Sequence, residues 1–274
     1  MRIDVKVQST QFYSKIYRLD ELSEPLRGIM YKRPWKLWQP HWRQRQNPSL
    51  FWYTLITLIL AMAIPYSIIN QIMGSLGRSV IDPITTVDSM IPFIGWTFLI
   101  YVSLYLYYPA AAWFGRDSEE RIREMFAFYQ SLFTMTWVVF AVFIIFPTEI
   151  YIREDIPQSV LVGEGFWGFW YGDLMHKTDL PYNAWPSLHV TQSLLIVMLM
   201  RYWKIVEGWK EAALWVAWVL LCVSVMTTKQ HFFFDLVTGI ITGTICWYYM
   251  CIPAMEGSSN ETWTSAFAPD DHSD

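Results

Sequence analysis

The chain has 274 residues, of which 54% are hydrophobic and only 16% charged, with a net charge of −4. A soluble domain carries about 25% charge; here the charges are also clustered, leaving 46–77, 89–115, 125–148, 180–200, 212–228 and 236–255 without Asp, Glu, Lys or Arg. Runs of roughly 20 apolar residues cross a bilayer as helices. Disordered, collagen-like, disulfide-stapled and ordinary soluble classes are therefore excluded, and nothing in the charge balance points to nucleic acid.

The expected fold is an all-α polytopic integral membrane protein with six transmembrane helices, near 50–71, 91–113, 127–147, 187–203, 212–228 and 234–252. The first 30 residues lack an apolar core, so no cleavable signal is expected and the first span should serve as its own insertion signal. Of the 20 Lys and Arg, 16 fall on the N-terminal side of the spans and 4 on the other. Positive charge stays in the cytoplasm, which puts both termini there.

In chain order, residues 1–49 form an expected cytoplasmic interfacial segment, because Trp35, Trp38 and Trp42 stand among its cations and aromatic rings beside basic groups suit the headgroup layer. The membrane core follows over 50–252. Asp88, before Ile91-Pro92, reads as the N-cap of the second span. The long outer loop, 148–186, interleaves Gly163, Gly165, Gly168 and Gly172 with Phe166, Trp167, Phe169, Trp170 and Tyr171; it is too apolar to float in water and should lie against the outer interface. Residues 253–274 are acidic and Ser-rich and are expected to be a disordered tail. Cys222, Cys246 and Cys251 sit in apolar runs and read as small buried side chains.

Ionisable groups at span ends carry the candidate chemistry, because burial there costs several kcal/mol without a task or a partner. Of the five His, His41 and His272 lie in polar segments with no evident partner, and His176 lies in the outer loop. His189 opens the fourth span and His231 the sixth. Parity places Arg153, the Ser187–His189 group and the Lys229–Asp235 group at one face, the exoplasmic one by the charge rule. His231 and Asp235, four apart, share a helical face; they form either a satisfied polar pair or a carboxylate-oriented imidazole. Gly239 and Gly243 continue that face and allow a close helix approach. Ser187 and the free amides of a helix start can cradle an anion, and Arg153 and Lys229 supply fixed positive charge. Two His and one Asp on separate segments are too few for a metal site, and haem ligands usually lie inside the bilayer rather than at span ends. No metal or other cofactor is expected.

Pro186-Ser187-Leu188-His189, followed by Ser224 to His231 and Asp235, resembles the type 2 phosphatidic acid phosphatase superfamily. Its signature is Lys, six residues, Arg-Pro; then Pro-Ser-Gly-His; then Ser-Arg, five residues, His, three residues, Asp. Ser187, His189, Ser224, His231 and Asp235 match in order and spacing. Leu188 replaces the usual Gly, Val225 stands where Arg is expected, and Arg153 is followed by Glu154 with Phe146 in place of the first-motif Lys. Loss of the first motif and the sequence Thr-Lys-Gln-His are more like the inositol phosphorylceramide synthase branch of lipid phosphotransferases.

The resemblance implies a membrane enzyme acting on a lipid phosphate through a phosphohistidine. In it His231 would be the nucleophile, Asp235 its orienting acid and His189 the proton donor, with Ser187, Lys229 and Arg153 on the phosphoryl oxygens. Hydrolysis of a lipid phosphate monoester or diphosphate is the expectation. Transfer of a phospho-headgroup to an alcohol is the alternative, and a non-catalytic lipid-binding or transport bundle a second one. The implied partners are the lipid substrate and membrane lipids, with no nucleic acid and an open oligomeric state.

Overall fold

The computed structural model describes residues 33–162 and 165–267. Its helices are α1 (Trp38–Arg43), α2 (Ser49–Leu76), α3 (Thr86–Met90), α4 (Gly95–Phe114), α5 (Glu119–Ile145), α6 (Leu188–Tyr202), α7 (Trp209–Thr227), α8 (Phe233–Gly257) and α9 (Glu261–Ala266). No strand occurs among the described residues; Thr148 and Asn183 make one isolated bridge. Five helices, α2, α4, α5, α7 and α8, are long and apolar enough to cross a membrane.

The run expected as the fourth span behaves differently. Helix α6 has 15 residues, about 22 Å at 1.5 Å per residue, against a hydrocarbon core of about 30 Å. It lies at the centre of the bundle with Val190 to Val197 buried throughout. A helix shielded from lipid needs no apolar surface, which is why it carries Thr191, Gln192 and Ser193. Gln192 donates to Thr136 Oγ1 of α5 at 2.8 Å, and Tyr108 of α4 donates to Gln192 Oε1 at 2.7 Å.

Prolines shape the long helices. Pro65 in α2 cannot coexist with a regular bond to the Ala61 carbonyl, and a π-helical turn over Ile59–Ala63 absorbs the misfit. The Ala61 oxygen instead accepts from Trp137 Nε1 of α5 at 3.1 Å, as a backbone group at membrane depth requires. A second π turn, Trp247–Cys251, precedes Pro253 in α8.

Helices α6 and α8 cross at the two glycines noted in the sequence. A Cβ at Gly239 would lie 3.0 Å from the Ser187 oxygen and 3.1 Å from Val190 Cβ, and one at Gly243 would lie 3.0 Å from Leu194 Cδ2. Bare backbone lets Thr191 Oγ1 donate to the Gly239 carbonyl at 3.0 Å.

Several terminal expectations are corrected. Of the tryptophans expected in the headgroup layer, Trp35 is partly exposed, but Trp38 and Trp42 are buried. Gln130, buried on α5, needs donors, and takes them from Trp38 Nε1 at 2.9 Å and the Trp35 amide at 2.8 Å. Trp38 also stacks on Phe126 at 4.7 Å. His41 does have partners, with Nε2 2.8 Å from Thr57 Oγ1 and Nδ1 2.9 Å from the Leu37 carbonyl. The expected disordered tail is helical as far as 267: Trp263 is fully buried, and Phe267 stacks on Trp42 at 4.6 Å. Residues 1–32, Gly163 and Glu164, and 268–274, with His272, lie outside the described residues. The three cysteines are buried and free.

The outer loop forms short helical turns at Tyr151–Asp155, Gln158–Leu161 and Gly168–Met175. It folds against the start of α4: Tyr171 is buried, lies 4.9 Å from the Phe98 ring and donates to the Gly95 carbonyl at 2.9 Å.

Substituting Gly239 with Val should force α6 away from α8, since β-branched bulk has no room beside the Ser187 carbonyl. A loss of about 1–3 kcal/mol is expected for such overpacking, read as a lowered thermal midpoint in detergent, with Thr238→Val on the same helix as a tolerated control.

Candidate functional site

Helix α7 ends in a tight reversal. The Lys229 amide donates to Met226 O at 2.9 Å and the Gln230 amide to Val225 O at 3.0 Å, the pairing in which the residue past the C-cap takes a left-handed conformation, usually as Gly. Here that residue is Lys229, at φ +59°, a conformation that costs a side-chain-bearing residue about 1 kcal/mol. Its ammonium is nearly buried and donates to Asp155 Oδ2 of the outer loop at 2.9 Å, while Asp155 itself is largely exposed. Val225, at the position where the resemblance leads one to expect Arg, is fully buried among apolar side chains. Lys229 is thus the cation at this corner. Ser224 donates back to the Leu221 carbonyl of its own helix at 2.7 Å.

The reversal delivers His231 to the start of α8. Asp235 lies in the first turn, fully buried; its Oδ2 accepts from the Phe232 amide at 2.9 Å and stands 3.3 Å from His231 Nδ1. Asp88 does not cap the second span. It sits in the separate helix α3, where Oδ2 accepts from the Thr85 amide and hydroxyl, each at 2.7 Å, and Oδ1 accepts from the Phe233 amide at 2.7 Å. Two carboxylates therefore cover the amides that open α8, where the helix dipole favours negative charge.

The α6–α8 crossing sets His189 against His231, with His189 Nδ1 3.4 Å from His231 Nε2 and the ring centroids 5.4 Å apart. Tyr101 of α4 stacks on the other side of His189 at 4.5 Å and 28°. Ser187, fully buried, donates its amide to the Asp235 carbonyl at 3.2 Å, and its Oγ has no partner among the described residues.

Arg153 is nearly buried. Nη1 and Nη2 donate to the Asp179 carbonyl and carboxylate at 2.6 and 3.1 Å, while Nε has no partner among the described residues. His176 of the outer loop stands near the same pair. Burial, aided by Arg153 and opposed by Asp179, pushes its imidazole down to about 4, so it is neutral at pH 7.

The six side chains singled out by sequence thus fall at one end of the bundle, opposite the described ends of the chain. His189, His231 and Asp235 form a continuous contact chain, Ser187 adjoins it through backbone, and Lys229 and Arg153 are each held by a loop carboxylate. Sequence reading missed Asp155, Asp179 and Tyr101. The carboxylates carried a usable signal, since loop acids beside an apolar segment need cationic partners; Tyr101 carried none.

Replacing Asp88 with Asn should give the Phe233 amide donor a weaker acceptor at residue 88 and remove one charge from the α8 start. A loss of about 1 kcal/mol is expected, as for a helix cap, with the thermal midpoint falling before any change at His231.

A family model described as the PAP2 superfamily matches residues 78–249. No curated protein and no solved structure matches the chain. The match covers α3 to most of α8 and includes every one of the six candidate residues. The chain belongs to the PAP2 superfamily, whose members act on phosphoric esters.

Proposed function

We propose that the protein is a multi-pass membrane phosphatase that hydrolyses a lipid phosphate monoester or diphosphate at the exoplasmic face, without a metal. The observation that carries this reading is the chain Asp235–His231–His189, with separations of 3.3 and 3.4 Å. A merely structural polar pair has no use for a second imidazole at the nitrogen opposite the carboxylate.

Asp235 fixes the proton of His231 on Nδ1, which leaves the Nε2 lone pair free to attack phosphorus. As the Nε2–P bond forms, the P–O bond to the lipid breaks, and His189, protonated at the start, gives its proton to the leaving alkoxide. A water then enters, loses its proton to His189, and displaces phosphate from Nε2. Lys229, Arg153 and the Ser187 hydroxyl bind the non-bridging oxygens and offset the charge there. The two imidazole nitrogens stand too close for a phosphoryl group to lie between them, so the rings part when substrate binds.

Six membrane crossings, with α6 as the enclosed fourth, and cytoplasmic termini fit the charge distribution: Arg33, Lys36, Arg43 and Arg45 sit at the end remote from the site. An alcohol in place of water would make the same residues a phosphotransferase, as in the inositol phosphorylceramide synthase-like reading. Phosphate release from phosphatidate or a polyprenyl diphosphate, with and without added inositol or choline, separates the two.

Purified protein should release phosphate with a bell-shaped pH profile, since one imidazole starts neutral and the other protonated. His189→Ala should cost about 10²–10⁴-fold, the usual worth of a proton donor, and His231→Ala should abolish turnover. Unchanged lipid-phosphate turnover in His231→Ala would refute the reading.

Lys229→Gly separates catalysis from folding. Gly suits the left-handed turn, so the thermal midpoint should hold or rise, whereas turnover should fall at least about tenfold through loss of a charge-assisted contact.

A further inference from the structure

Arg153 is positioned by a relay that begins outside the family match. Asp179, which binds two of its nitrogens, takes the Tyr66 hydroxyl at 2.7 Å and Asn70 Nδ2 at 3.2 Å on Oδ1. Both residues belong to α2. Asn70, fully buried, also grips the next loop residue at both backbone groups: Nδ2 donates to the Leu180 carbonyl and Oδ1 accepts from the Leu180 amide, each at 2.7 Å. One turn on, Gly74 makes room, since a Cβ there would meet Leu180 Cδ1 at 2.1 Å. Helix α2 thus clasps residues 179–180, and residues 179–180 clasp Arg153.

The geometry at Arg153 points in one direction. A guanidinium has five donors in a rigid fork. Asp179 occupies the Nη1 and Nη2 end, and the Nε edge remains, buried and without a partner among the described residues. A phosphate oxygen pair matches such an edge in shape as well as charge.

We propose that Asp179, braced by Tyr66 and Asn70, is the positioning residue that turns the Nε edge of Arg153 toward the substrate phosphate. The proposal rests on the phosphate-ester reading above. It makes α2, which contributes no residue to the motifs, a working part of the site, and it makes specificity for a phosphate depend on orientation rather than on net positive charge.

Orthovanadate binding to the full chain in detergent tests it, with phosphatidate turnover measured in parallel. If Asp179 only diluted the charge of Arg153, Asp179→Asn would bind vanadate more tightly. If Asp179 aims the fork, the variant should bind about tenfold more weakly, and KM should rise more than kcat falls. The effect should vanish in an Arg153→Ala background, since two residues acting through one contact are non-additive. Tyr66→Phe, which keeps its ring beside Phe140 at 6.3 Å, should show a smaller change of the same sign and guards against an Asp179 variant that fails to fold. Tighter or unchanged vanadate binding in Asp179→Asn, or an equal loss with and without Arg153, would overturn the proposal while leaving the His231 result standing. Wild-type protein that binds no vanadate, together with turnover indifferent to His231→Ala, would sink the function and the proposal together.

Discussion

The site depends on how closely α6 and α8 can approach. Each carries one imidazole, and neither ring can reach the other unless the backbones nearly touch. Gly239 and Gly243 permit that, with the Ser187 carbonyl and Val190 occupying the space a side chain would need. In a bilayer, association of helices draws on close packing and interhelical hydrogen bonds rather than on water exclusion. The Thr191 hydroxyl supplies such a bond across the crossing, and the Ser187 amide adds another to the Asp235 carbonyl. The same few contacts that hold the bundle together therefore also align its chemistry.

Around the crossing, charge is managed by pairing. Lys229 meets Asp155, Arg153 meets Asp179, and Asp235 takes a backbone amide as well as His231. Isolated ions at such depth would cost several kcal/mol each. Each cation keeps donor capacity beyond its partner, which suits the proposed role of exchanging one anion for another. The left-handed Lys229 fits this pattern: a residue type poorly matched to its backbone conformation stands where its charge is wanted.

Much of the fold was legible because charge-free runs of bilayer length have few alternatives. Helix α6 was harder to read. Its run, 180–200, is long enough on paper, but its first residues belong to the loop that Asn70 and Arg153 hold, and only 15 residues remain helical. The pairing of His231 with Asp235 followed from the four-residue spacing, and the approach of His189 from the glycine pair. Asp179 and Tyr101 come to the site only through tertiary packing, which periodicity does not encode. The terminal tryptophans misled for a related reason: aromatic rings among cations look alike whether lipid or a buried Gln130 receives them. In the tail, an acidic, Ser-rich composition concealed Trp263, which is fully buried, and Phe267, whose ring stacks on Trp42.

For the proposed function, the shortness of α6 bears on how deep the chemistry would lie. If one end of α6 is level with its neighbours, its 15 residues fall about 8 Å short of a hydrocarbon layer of about 30 Å at the other. On that reading, a lipid whose tails stay among their fellows would lower its polar end by that distance to meet the two rings, leaving most of its hydration behind as it sinks. Cations that act weakly at a wet surface act far more strongly in such a recess. Water for the proposed hydrolysis would have to pass the outer loop folded at the same end.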